Sequence, residues 1–309
     1  RSTLFPYTTL FRSSTEMKRK LSLSQLSLIA ILFLVTLTMI VPILNMAAKS
    51  FSSPEESVRM GGLAILPRGF DLINYRIVFS HPALMGALMN SVFITVVGLA
   101  INILLTCSAA YVLTRRGLTL KKPLMVFLIF MMLFDPGMVP EYLVIKDIGL
   151  MGSRWSVILV MAVNVYYLII LMRYYQAIPS EIYEAAEIDG AGHWTTLFRV
   201  VFPLAKSGIA TITMFYAVIR WNEYFRAGIY LTKTKDTTLQ VILRQFVILG
   251  DTTSIVGQQN LYNYNELARI DYNALRCATI VVSIIPILLL YPIVLRYYAK
   301  DVMAGGVKE

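Results

Sequence analysis

Residues 82–114 read PALMGALMNSVFITVVGLAINILLTCSAAYVLT, from Pro82 to Thr114 without one Asp, Glu, Lys or Arg. A helix needs about 20 mostly apolar residues to cross a hydrocarbon core of roughly 30 Å. This stretch therefore holds a complete membrane span, expected over about Leu88 to Leu113. Leu21–Ala48, Trp155–Met172 and Cys277–Leu295 are likewise free of charge. Two weaker stretches join these four. Pro123–Phe134 meets Asp135-Pro136-Gly137 and resumes through Met138 to Ile145, and Pro203–Ile219 is apolar apart from Lys206. Backbone groups in lipid must be satisfied within the segment, so helices are the default. The expected fold is an all-α polytopic membrane protein with six transmembrane helices.

Composition agrees. The chain has 309 residues, 57% hydrophobic and only 15% charged, where a soluble domain carries about 25% charged. A chain of this size could bury two soluble cores, but so few charges could not cover its apolar surface in water. Aromatic residues at 12% exclude disorder. The net charge of +10 would suggest nucleic acid in a soluble protein. Here basic residues at span ends account for it, and nucleic acid is not expected as a partner. Cys107 and Cys277 sit in apolar runs with no Cys or His at ligand spacing, and read as small hydrophobes.

Orientation follows from the short loops. Lys18-Arg19-Lys20 precede the first span, and Arg115, Arg116, Lys121 and Lys122 crowd the loop between spans two and three. The opposite connection, Lys146 to Arg154, holds two basic residues beside Asp147. By the positive-inside rule, both termini and the 115–122 loop are cytoplasmic. The first apolar run is too long for a cleavable signal core and reads as an uncleaved anchor. Residues 1–16 read as a non-native or disordered leader, residues 17–85 as the anchor helix and first outer loop, residues 86–298 as the transporting domain and residues 299–309 as a cytoplasmic tail.

The loop between spans four and five is the informative one. It runs Ile178-Pro179-Ser180-Glu181-Ile182-Tyr183-Glu184-Ala185-Ala186-Glu187-Ile188-Asp189-Gly190-Ala191-Gly192-His193-Trp194, then on to Val200-Val201-Phe202-Pro203. Ser180 after Pro179 suits a helix N-cap, acidic residues in the first turns suit the dipole, and Gly190 suits a stop. A second short helix is expected over about Trp194 to Val201, ending at Pro203. Small side chains at Ala185 and Ala186 would let another surface approach closely, beside a charge at Glu184. Periodicity alone favours an amphipathic helix lying at the interface.

This stretch resembles the coupling loop of permeases from binding-protein-dependent ABC transporters: Glu-Ala-Ala, three residues, Gly, nine residues, Ile, one residue, Leu-Pro. The chain has Glu184-Ala185-Ala186, Gly190 at that spacing, Val200 for the Ile, Phe202 for the Leu, and Pro203. Asn164 to Ile170, Phe215 to Phe225 with Trp221-Asn222, and the tail Ala304-Gly305-Gly306-Val307-Lys308 are similar to carbohydrate permeases. They are of the small-permease type of the maltose system, and nearest to oligosaccharide permeases of Gram-positive bacteria. The resemblance covers about Met17 to Glu309.

The resemblance implies a type I ABC importer permease fold and a transport subunit that is not itself an enzyme. It implies a second permease as heterodimer partner, a pair of ATPases using ATP and Mg, an extracellular solute-binding protein, and a sugar substrate in a bacterial cell membrane. The chain itself would carry no cofactor. Glu184, Ala185, Ala186, Asp189, Gly190 and Pro203 would form the ATPase-coupling contact, and Gly305 to Lys308 would reach towards the ATPases. Consistently, no Gly-x4-Gly-Lys-Ser/Thr phosphate loop occurs. No catalytic or metal-binding arrangement is evident, and His81 and His193 lie in different loops.

Tyr216, Trp221 and Asn222 are the candidate substrate path, since aromatic and amide groups suit sugar rings and hydroxyls. For Trp221 and Tyr224 an aromatic belt at the outer interface weighs more. Arg220 and Glu223, three apart, are expected to pair or to snorkel at the outer end. Asp135-Pro136-Gly137 reads as a kink in preference to a substrate site. For the polar outer segment 227–272, with Gly250-Asp251 and Gln258 to Asn263, the resemblance to the maltose relative implies a docking loop for the binding protein, with a passive solvated loop as the alternative. The alternatives are a permease of the same architecture for a non-sugar solute and, further off, an ion-coupled secondary carrier, for which no convincing midplane ionisable groups are found.

Overall fold

In the computed structural model, residues 23–249 and 271–305 are described, the side chains of 234, 290 and 293–305 excepted. Three helices are long and apolar enough to cross a membrane as single rods: α1 (Leu23–Ser50), α4 (Pro82–Thr114) and α14 (Tyr272–Gly305, apolar over Tyr272–Leu289). Span two is thus helical from Pro82 rather than Leu88. The other expected spans are interrupted. Helices α5 (Lys121–Leu133) and α6 (Met138–Asp147) meet at 114°, and α7 (Arg154–Val160) and α8 (Val165–Gln176) at 50°. By length and composition the described residues hold three spans, or up to six if each bent pair counts as one.

Each break has a local cause. Pro136 lacks an N–H and disfavours helical backbone at Asp135. Gly137 then takes φ +81°, and its N–H donates to Asp135 Oδ1 at 2.9 Å. The result corrects the expected kink, because the chain turns back by more than a right angle. At the second break Asn164 caps α8, its Oδ1 accepting from the Tyr167 N–H at 3.2 Å.

Packing around α4 reverses the soluble pattern. Its buried positions are largely small or polar: Ala87, Asn90, Ser91, Thr95, Gly98, Asn102, Thr106 and Ala110. Phe93, Val96, Leu104, Leu105 and Val112 face outward. Helices in lipid gain nothing from burying leucine, so close backbone approach and interhelical hydrogen bonds decide their interfaces. Around α4 stand α8 and α11 (Lys206–Trp221), while α1 lies against α14.

The connections expected on the outer side hold more structure than their polarity suggests. After α1 come α2 (Pro54–Arg59) and α3 (Ile73–Ser80), laced by side chains. Asn45 Nδ2 donates to the carbonyls of Gly61 and Ala64 at 2.9 and 2.7 Å, and Ser57 Oγ to Asp271 Oδ2 at 2.7 Å. The segment read as a polar loop from Ala227 contains α12 (Phe225–Tyr230) and α13 (Leu239–Ile248). Tyr230, Leu239, Ile242 and Phe246 from these helices are buried in the core, which corrects the loop reading for residues 227–248. Gly250-Asp251, Gln258 to Asn263, the leader 1–16 and tail residues 306–309 lie outside the described residues. Residues 299–305 continue α14 as helix.

Candidate functional site

Between α8 and α11 the chain forms a two-helix foot. The first helix, α9, spans Ser180–Ile188, and the second, α10, spans His193–Leu204. Ser180 is the first helical residue rather than the cap, and Pro179 stands before it with no capping side chain. The stop at Gly190 is a complete Schellman motif. Gly190 takes φ +74°, its N–H bonds to Glu187 O at 3.1 Å, and the Ala191 N–H reaches back to Ala186 O at 2.9 Å. Glycine is the residue that adopts this conformation without cost from a Cβ.

Helix α10 winds as a π-helix over Thr196–Val201 and passes through Pro203, which is exposed, to a corner at Ala205. There it meets α11 at 88°. Leu197 and Val201 are buried against the bundle, while Trp194, Phe198 and Phe202 stack in sequence along the helix, ring centroids 5.8 and 5.1 Å apart. Just beyond the corner the Tyr174 ring covers Gly208, where an added Cβ would run into the ring.

The motif residues divide by direction. Ala186 is buried under α9, whereas Glu184, Ala185, Asp189 and Gly190 are exposed. Beside them Ile188 is 86% and Trp194 63% exposed, so the foot presents an apolar tip ringed by carboxylates. An exposed apolar tip of this kind makes the foot the candidate contact surface.

The foot is also clamped to the bundle by Arg115, one of the loop cations that set the expected topology. Arg115, immediately after α4, is ion-paired with Glu187, and its guanidinium lies 5.5 Å from the Tyr111 ring and 5.2 Å from the Tyr183 ring. Tyr183 Oη in turn donates to Tyr175 O at 3.2 Å. Burial pushes the Tyr183 phenol above its usual range, against the lowering effect of Arg115. Arg116 stands 3.8 Å from Glu184, both side chains largely exposed. An open cleft of about 710 Å³ separates α9 from the 114–121 loop. The basic pair Arg115-Arg116 facing Glu184 and Glu187 was the available signal, since both segments had been assigned to one side of the membrane.

The candidate path residues lie elsewhere, at the breaks. Tyr216 is buried, and its hydroxyl sits 2.9 Å from Thr106 Oγ1 and accepts from the Asn164 N–H at 2.8 Å. Trp221 is buried and donates to Ser283 O at 2.9 Å, so it does not stand in an outer aromatic belt. Asn222 is exposed and donates to Val218 O on its own helix. His193 Nδ1 lies 3.5 Å from Tyr111 Oη, and His81 precedes α4. Cys107 is buried and Cys277 half-buried, both free. Among the described residues no three His, Cys, Asp or Glu side chains gather as a metal site.

Arg220 neither pairs with Glu223 nor snorkels. It is 2% exposed, and its Nε donates to Asn102 Oδ1 at 2.8 Å. Its two terminal nitrogens donate to Val157 O and Ile158 O at 2.9 and 2.7 Å. Asn102 Nδ2 completes the set on Met161 O and Ala162 O, at 2.5 and 2.8 Å. A helix that stops mid-bundle leaves its last carbonyls without partners and its C-terminus negative. Arg220 and Asn102 answer both needs. Glu223 pairs instead with Arg226, which holds Glu141 of α6 through two bonds of 2.7 and 3.1 Å.

A family model described as "Binding-protein-dependent transport system inner membrane component" matches residues 91–303. The chain is 38% identical to the polygalacturonan/rhamnogalacturonan transport system permease protein of Bacillus subtilis (strain 168), over 90% of this chain and 95% of that one. It is 29% identical to the melibiose/raffinose/stachyose import permease protein of the same strain, over 79% and 83%. Among solved structures it is similar to a chain from a bacterial ABC transporter involved in import of the acidic polysaccharide alginate. There the TM-score is 0.80 at 29% identity, covering 88% of this chain and 95% of that chain.

Proposed function

The chain belongs to the family of binding-protein-dependent transport system inner membrane components, and from that membership we propose that it is the membrane-spanning permease subunit of an ATP-driven importer for a sugar or oligosaccharide. The observation that carries the reading is the foot: two short helices around Gly190, tipped by Ala185 and Ile188 and locked to α4 through Arg115 and Glu187. A rigid body of this kind can pass a push from an outside motor into the bundle. The names of the pectin-fragment and galactoside relatives and of the alginate importer support a carbohydrate cargo.

In this reading a separate ATPase pair uses ATP and Mg and grips Glu184, Ala185, Ala186, Asp189 and Gly190, with Pro203 holding the corner behind them. A second permease completes the pathway, and an extracellular solute-binding protein delivers the cargo. The chain crosses the cell membrane several times, with the 115–122 loop, the foot and both ends on the cytoplasmic side. Residues 86–298 are the transporting domain, residues 17–85 an anchor and outer loop, and residues 299–309 a cytoplasmic tail. Asn222, exposed at the break after α11, remains a path residue.

The test is reconstitution in vesicles with the companion permease, ATPases and binding protein. Oligosaccharide uptake should require all four and ATP. Accumulation of solute by the purified chain alone, without nucleotide, would overturn the proposal.

A further inference from the structure

Where α11 ends and α12 begins, an open cleft of about 320 Å³ runs between Tyr224, Gln240 and Arg244, walled by Val247, Ile280 and Ser283. The Arg244 guanidinium lies 5.3 Å from the centroid of the Tyr224 ring. Both side chains are exposed, and among the described residues Arg244 forms no ion pair and no side-chain hydrogen bond. The other arginines near the breaks differ: Arg226 is held by Glu141 and Glu223, Arg154 by Asp236, and Arg220 by carbonyls and Asn102. Arg244 thus stands as an exposed cation beside the apolar wall of Leu243, Val247 and Ile280, with its N–H groups open towards the cleft.

We infer that this cleft is where a carboxylate-bearing oligosaccharide, of the uronic acid type, touches the chain, with Arg244 selecting the acidic sugar. The inference rests on the sugar-permease reading above and names the class of cargo. A planar guanidinium presents two parallel N–H groups that match a carboxylate, while its face stays on the tyrosine. The exposed Tyr224 ring offers the apolar platform that the C–H face of a pyranose requires. Gln240, one turn before Arg244 on the same face of α13, supplies an amide donor and acceptor for hydroxyls. Helix α13 is fixed in place: Ile242, Leu243 and Phe246 are buried, and the Leu239 N–H donates to Ser91 Oγ at 2.9 Å. Arg244 is therefore presented from a rigid element, which lowers the ordering cost of recognition.

The test uses the full importer in vesicles and two probes of equal length, trigalacturonate and the neutral galactotriose. Wild type should carry trigalacturonate, and Arg244→Gln should lower the ratio of acidic to neutral uptake about tenfold or more, the scale of one charged hydrogen-bonded pair. Arg244→Lys should recover part of the ratio. In a Gln240→Cys complex, trigalacturonate should slow maleimide labelling and galactotriose at the same concentration should slow it less. An unchanged ratio in Arg244→Gln, or no protection of Cys at 240, would leave Arg244 a snorkelling cation and overturn the inference while the sugar reading stands. A wild type that carries galactotriose alone would do the same. If wild type carries neither saccharide, the sugar reading itself falls, and this inference falls with it.

Discussion

Arg115 and Glu187 are ion-paired across 72 residues of chain, joining the C-terminal end of α4 to the last turn of α9. The foot is thus tied to α4 in the middle of the bundle as well as to its chain neighbours α8 and α11. A displacement of the foot must move α4 or break the pair.

Disrupting that pair should separate coupling from folding. The Glu187 side chain is mostly exposed, and pairs of this kind contribute about 0–1 kcal/mol to stability. Arg115→Ala and Glu187→Ala complexes should therefore assemble and melt close to wild type, yet show several-fold less uptake per ATP hydrolysed. Exchanging the charges, Arg115→Glu with Glu187→Arg, should restore part of the ratio. Equal coupling ratios in all four proteins would count against the clamp.

Glu184→Lys should uncouple transport while leaving the membrane fold intact, because Glu184 is exposed and its one ionic neighbour among the described residues, Arg116, is at 3.8 Å. Co-purification of the ATPase with the variant should fall, and wild-type uptake would refute a docking role for this carboxylate.

The mid-bundle network should be the most sensitive polar feature of the fold. Arg220→Met leaves Val157 O, Ile158 O and Asn102 Oδ1 without partners, each buried orphan costing about 1–3 kcal/mol. Gly98→Ala should cost about 1–3 kcal/mol by overpacking, since its Cβ would meet Arg220 Cζ at 2.9 Å. Thermal unfolding in detergent should rank both well below an exposed control such as Val96→Ala. Melting at the control temperature would show that the carbonyls find other partners.

Acid should loosen the N-terminal end of α4. His81, between α3 and α4, is half-buried, its Nδ1 has no partner among the described residues, and burial lowers its pKa below the ordinary 6.5. The folded state thus prefers the neutral ring, and the unfolded chain binds the proton more readily. The contribution is present above about pH 6.5 and is lost as pH falls below it. His81→Gln should flatten the pH dependence of hydrogen exchange across residues 73–90 between pH 7 and 5, and an identical slope in the variant would rule His81 out.

The foot was legible in the sequence because its signals are local. Gly190 needs its own φ to stop α9, Pro203 precedes the corner at Ala205, and the residues between them are close in the chain. The clamp was not, because Arg115 and Glu187 are remote in sequence and a positive charge after a span serves topology equally well. The same holds for Arg220. Three residues from Glu223 on a helix, it has a local partner on paper, but Asn102 and the open carbonyls of Val157 and Ile158 come from other helices.

By itself the sequence determined that this chain is a bundle of membrane helices with a two-helix foot, since charge-free length and turn chemistry are properties of contiguous residues. Tertiary structure alone decided how sharply the spans turn, which cations are buried and which stand open. In lipid the interfaces are chosen by close approach and by carbonyls left without partners, as at Gly98 and Val157, and apolar pattern carries no record of either.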